Sequence, residues 1–103
     1  MRSDKFIIND IELDNLIVKI NQEVDFLSRY EDNSGKIVVL VVEKFYFRIE
    51  SNLAATIIFD RINESQYQIV IAVAGGRHGL LGISWGAEKS MLKKIKKIFL
   101  EYM

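Results

Sequence analysis

Lys36-Ile37-Val38-Val39-Leu40-Val41-Val42-Glu43-Lys44-Phe45 is the stretch at which the periodicity of the chain changes. Its apolar run, Ile37–Val42, is dominated by β-branched side chains. It is too short for a helix and typical of a strand covered on both faces. Beyond it the pattern becomes an alternation, with Phe45, Phe47 and Ile49 on one face and Lys44, Tyr46, Arg48 and Glu50 on the other. The spacing predicts one strand over 37–49, doubly buried at its start and half solvated at its end.

Toward the C-terminus, Ser51-Asn52 suits a tight turn and Ala54–Ile62 reads as the next strand. Glu64-Ser65-Gln66 turns again into Tyr67–Ala74, where Tyr67, Ile69, Ile71 and Val73 alternate with Gln68, Val70, Ala72 and Ala74. Turns this short imply an antiparallel meander, because parallel neighbours need crossovers of a dozen or more residues. A glycine-rich stretch from Gly75 to Glu88 follows, holding five of the six glycines, the only His and the only Trp. Within it, Leu80–Trp85 is expected to be a further strand, and Gly86 a turn into a last helix. Met91, Leu92, Ile95, Ile98, Phe99 and Tyr102 form that helix's apolar stripe, opposite Lys93, Lys94, Lys96 and Lys97.

Toward the N-terminus, Lys5–Ile8 is a short extended segment. Asn9 with Glu12 three residues on has the pattern of a capping box, placing a helix start near residue 10. Leu13, Leu16, Ile17, Ile20, Val24 and Leu27 recur at helical spacing, and Glu31-Asp32-Asn33-Ser34-Gly35 ends the run. The order is therefore β-α-β-β-β-β-α. It defines an α+β, two-layer sandwich in which an N-terminal and a C-terminal helix cover one face of an antiparallel four- to five-stranded sheet. This order resembles that of TATA-binding-protein-like and helix-grip folds, a likeness that carries no function with it.

Composition narrows the possibilities. A chain of 103 residues, half of them apolar, makes a single α+β domain over 1–103. The absence of cysteine removes disulfides, thiolate metal sites and cysteine nucleophiles, and fits a cytoplasmic setting. No run approaches the roughly 18 apolar residues of a membrane span. Fourteen acidic and fourteen basic residues leave zero net charge, which argues against nucleic acid as the partner. Charge is unevenly spread, net −4 over residues 1–35 and +3 over 85–103. The two ends are thus complementary to each other without an outside partner.

Val42-Glu43-Lys44-Phe45-Tyr46, Gly75-Gly76, Gly79-Leu80-Leu81, Trp85-Gly86-Ala87-Glu88 and Leu92 occur in an order and spacing that resembles a family of small bacterial proteins catalogued as a domain of unknown function. The likeness runs from about the first helix to the last, and the chain departs from it at Arg77-His78. The resemblance implies a small bacterial cytosolic protein and brings no activity, cofactor or catalytic residue with it.

Three places are candidates for chemistry. In Gly75-Gly76-Arg77-His78-Gly79 the glycines free the backbone to present N–H donors, Arg77 adds a fixed charge and His78 titrates near neutrality, a set suited to a small anionic ligand. A strand connection needing positive φ explains the same residues. Glu43 falls in phase with Val39, Val41, Phe45 and Phe47, so an unbroken strand would aim it at the core as a buried acid; a bulge would turn it outward. Trp85 with Tyr46, Phe47 and Phe59 would line a pocket for an apolar ligand or simply fill the core. One His and no Cys leave no cluster for a metal and no nucleophile–base pair, and the residues imply neither cofactor nor enzyme.

The expectation that remains is an interaction or assembly protein, a homo-oligomer of two or more copies joined through its sheet. A single helical layer covers one sheet face, and the apolar residues at Val38, Leu40, Val42, Val70 and Ala72 exceed what that face requires. The alternative is a small-ligand or anion-binding module using the 75–79 loop and the Trp85 region.

Overall fold

The computed structural model describes residues 2–9, 12–46, 51–75 and 85–103. In chain order these form β1 (Arg2–Asn9), α1 (Leu13–Glu23), β2 (Phe26–Glu31), β3 (Ile37–Tyr46), β4 (Ser51–Arg61), β5 (Gln66–Gly75) and α2 (Trp85–Phe99), with a closing 3₁₀ turn at Leu100–Tyr102. The strands make one antiparallel sheet in the order β1-β5-β4-β3-β2. From β2 to β5 the chain is a meander, and β1 adds to its far edge. The described residues form an α+β arrangement of five strands and two helices.

The connection from β1 to β2 joins opposite edges, four inter-strand spacings or roughly 19 Å apart. An 11-residue helix is about 16 Å long, so α1 is the element that carries the chain across the sheet. Its apolar stripe, Leu16, Ile17 and Ile20, is buried on the way.

The helix is shorter than its stripe of apolar residues suggests. It starts at Leu13, and Asn9, expected in a capping box, belongs to β1, where its side-chain oxygen accepts a hydrogen bond from Gln66 Nε2 at 2.9 Å. Val24 is already extended, and Phe26–Glu31, expected to continue the helix, pairs with β3. Two contacts fix the switch. The Asp25 carboxylate accepts the Phe45 N–H at 2.8 Å, and the Asp25 N–H donates to the Glu43 carbonyl at 2.8 Å. Tertiary pairing with a strong strand overrides a weak local helical period here. The strand expected at Leu80–Trp85 has its residues 80–84 outside the described set, and Trp85 is the first residue of α2.

The core lies between the sheet and the helices. Val38, Leu40 and Val42 of β3 face Phe59, Ile57 and Ala55 of β4, and these in turn face Ile69, Ile71 and Val73 of β5. All nine are completely buried, in one cluster with Leu16, Ile20, Met91, Ile95 and Phe99 of the helices. The expected phase of β3 is therefore reversed: its even positions face the helices and its odd positions face away. The register explains this, because an even position of β3 pairs with an odd position of β4, and an odd position of β4 with an odd position of β5. Val38, Leu40 and Val42 thus share no face with Val70 and Ala72.

The two helices are tied down by aromatic and ionic contacts. Phe99 packs edge-on to Phe6 with centroids 5.4 Å apart and lies 5.9 Å from Phe59. Lys96 pairs with Asp4 of β1 and stands 5.7 Å from the Phe6 ring centroid. Lys94 of α2 pairs with Glu23 of α1 at 3.6 Å, a contact between the basic and acidic ends of the chain.

Candidate functional site

The sequence-derived site residues do not come together as one described centre. Gly75 ends β5 opposite Leu53. Gly76, Arg77, His78 and Gly79 lie outside the described residues, and Trp85 is described only as the start of α2. Phe59, expected near a pocket, is completely buried against Phe99 and Tyr67.

Glu43 is exposed on the face turned away from the helices, which corrects its expected place as a buried acid. The reversed phase of β3 moves it outward with no bulge needed, since pairing to β4 is continuous through it and it pairs with Phe26 at the start of β2. Among the described residues the buried carboxylate is instead Glu88, 7% exposed, in the first turn of α2. Negative charge there complements the helix dipole, and a Glu three residues after the helix start was the signal available in the sequence.

Among the described residues, the Asp4 and Asp32 carboxyls are perturbed, both for structural reasons. A hydrogen bond from Lys96 holds the Asp4 carboxyl below its usual range, helped by the Lys5 N–H. Asp32, in the β2–β3 turn, is lowered chiefly by the Ser34 hydroxyl, which donates at 2.8 Å, and by the Ile37 N–H. Among the described residues, no three His, Cys, Asp or Glu side chains gather as a metal site.

A groove of about 460 Å³ runs between the helices, lined by Lys19, Gln22, Glu23, Lys97, Ile98 and Leu100. Two of its charged groups are engaged by neighbouring side chains. Lys19 donates to the Tyr102 hydroxyl at 3.1 Å, and Glu23 holds Lys94. It is an open channel between two solvated faces.

The feature that stands out is the sheet face opposite the helices. Strand register arranges it in rows. Lys5, Val70, Ile58, Val39 and Tyr30 cross all five strands, followed by Ser3, Ala72, Thr56, Val41 and Ser28, then by Ala74, Ala54, Glu43 and Phe26. Ile7, Gln68, Asp60 and Ile37 flank one side, and Asn52 and Phe45 the other. No described helix covers these residues. Phe26 is 71% exposed, Tyr30 66%, Ile7 47% and Val41 43%. Charge on the face is sparse: Lys5 on the edge strand, Asp60 paired to Lys36 at 3.6 Å, and Glu43.

A comparison with protein families matches residues 5–103 to a family of unknown function, DUF6054. The chain belongs to the DUF6054 family. Comparisons with curated proteins and with solved structures give no match. For this DUF6054 protein the resemblance seen in the sequence thus leads to the family, and function must be argued from the fold. Among the described residues, no helix is long and apolar enough to cross a membrane.

Proposed function

We propose that this protein is a non-enzymatic assembly module that self-associates by closing the open face of its sheet on a second copy. The observation that carries this reading is the apolar content of the uncovered rows, with Val70, Ile58 and Val39 in one and Ala72 and Val41 in the next. Val41 is exposed and Val39, Ile58, Val70 and Ala72 are half-buried; a contiguous apolar patch of this kind marks interaction sites.

Size supports a second copy as the occupant. Five strands at about 4.8 Å, with β1 eight residues long at about 3.4 Å each, give a face of roughly 650 Å² in projection. This is of the same order as the roughly 800 Å² per partner of a standard interface. Two such faces pack as a β-sandwich, a layer about 10 Å deep. The scarcity of charge disfavours nucleic acid, whose binding rests on phosphate neutralisation.

Sedimentation across a concentration series tests the proposal, with Val39→Lys as the disrupting variant. The expected result is a dimer or higher oligomer for the native chain and a folded monomer for the variant. A native chain that stays monomeric into the high micromolar range rules the reading out.

A further inference from the structure

We infer that the outer surface of the helical layer docks on an anionic lipid bilayer, through a lysine row on α2 with Leu100 and Val18 as shallow anchors. This goes beyond the self-association proposed above and does not depend on it, because pairing two open sheet faces leaves both helical layers outermost.

The lysines of α2 are not all engaged. The helix holds five of them and a single carboxylate, Glu88, which is buried. Lys94 is paired with Glu23 and Lys96 with Asp4. Lys89, Lys93 and Lys97 are exposed, and no carboxylate among the described residues pairs with them. At i, i+4 and i+8 they form one row, about 12 Å long at 1.5 Å per residue. The row lies on the side of α2 away from the buried Met91, Ile95 and Phe99. Lys19 of α1 lines the same groove as Lys97 and Leu100, so the positive surface continues across to the first helix. The acids at α1 are otherwise occupied: Glu12 accepts from Asn15, Asp14 pairs with Arg29 and Glu23 with Lys94.

Apolar side chains project among these lysines. Leu100, three residues beyond Lys97, is 54% exposed, and Val18, next to Lys19, is 55% exposed. Single exposed apolar residues are ordinary; their setting is what distinguishes these two. A bilayer surface attracts the ammonium groups to its anionic headgroups while apolar tips enter the acyl boundary, and lysine stems lie along that boundary with their charges in the headgroup layer. Other anionic partners fit less well. A protein interface has a contiguous apolar core and is depleted in lysine. Nucleic acid would engage the lysines and gain nothing from Leu100 or Val18.

Co-sedimentation with vesicles of phosphatidylcholine, with and without phosphatidylglycerol, tests the inference. The native chain should bind the phosphatidylglycerol vesicles, ignore pure phosphatidylcholine and be released by salt. The double variant Lys93→Gln, Lys97→Gln should bind roughly thirtyfold more weakly, and Leu100→Ser should also weaken binding, at unchanged charge. All three positions are exposed, and thermal unfolding checks that the variants are folded. A native chain that does not bind phosphatidylglycerol vesicles overturns the inference. Binding that neither variant weakens overturns it too, by assigning the vesicles to another surface such as the open sheet face. So does a lysine effect without a Leu100 effect, or tighter binding to a DNA duplex than to vesicles, since either outcome describes a general polyanion surface. Whether the native chain sediments as a monomer or a dimer decides the self-association alone.

Discussion

The Phe99 ring meets the Phe6 ring edge-on, 5.4 Å between centroids, and so fastens the last turn of α2 to the edge strand β1. Phe99 also lies 5.9 Å from Phe59 of β4 and is completely buried. One side chain thus joins the final helix to an edge and to the centre of the sheet.

Phe99→Ala should therefore be among the most damaging single changes, costing about 3–5 kcal/mol from lost burial and the cavity left behind. Thermal or urea unfolding measures this. A loss under about 1 kcal/mol would mean that the helix end does not pack as described.

Neighbouring residues of β3 should behave oppositely. Leu40 is completely buried and Val41 is 43% exposed on the open face. Leu40→Ala should cost about 2–5 kcal/mol. Val41→Lys should change monomer stability by less than about 1 kcal/mol and abolish self-association. Unfolding measured at low protein concentration, together with sedimentation, separates the two effects. Equal destabilisation by both would contradict the assigned phase of the strand.

The β2–β3 turn should be acid-sensitive. Asp32 is held below its usual pKa by the Ser34 hydroxyl and the Ile37 N–H. Its contribution to stability is thus complete above the unfolded carboxylate value, about 3.9, and is lost as pH falls through the lower folded value. Asp32→Asn should flatten the part of the stability–pH curve lying below about pH 5. An unchanged curve would remove Asp32 as a contributor. In the same turn Gly35 has φ +73°, so Gly35→Ala should cost on the order of 1 kcal/mol.

The pair between Asp4 and Lys96 is partly exposed, so Asp4→Asn should cost at most about 1 kcal/mol. Salt should weaken the native contribution. Asp4 has a lowered pKa, so the effect of the substitution should be present at neutral pH and vanish under acid conditions. A salt-independent loss of several kcal/mol would indicate a packing role instead.

Glu43 is exposed and Glu88 is buried. Glu43→Gln should leave monomer stability within about 0.5 kcal/mol and strengthen self-association by removing a charge from the apolar face. Glu88→Ala, at a buried position, should be the more destabilising of the two. Unfolding midpoints of the two variants settle the order.

Sequence alone determined the class of this protein. The β-branched run at Ile37–Val42, the alternation at Tyr67–Ala74 and the short polar turns between them specify an antiparallel meander, because period and turn length are local properties. The stripe at Met91, Ile95 and Phe99 specifies α2 for the same reason. What only the tertiary structure decided is which face each strand buries and where α1 gives way to β2. Val38 and Val39 are chemically identical, and only the pairing of Val38 with Phe59 makes one core and the other surface. Likewise Phe26–Glu31 has a residual helical period, and hydrogen bonds to β3, distant in sequence, turn it into a strand. Such choices depend on register between strands, an energy shared by residues far apart in the chain, and no window of sequence contains it.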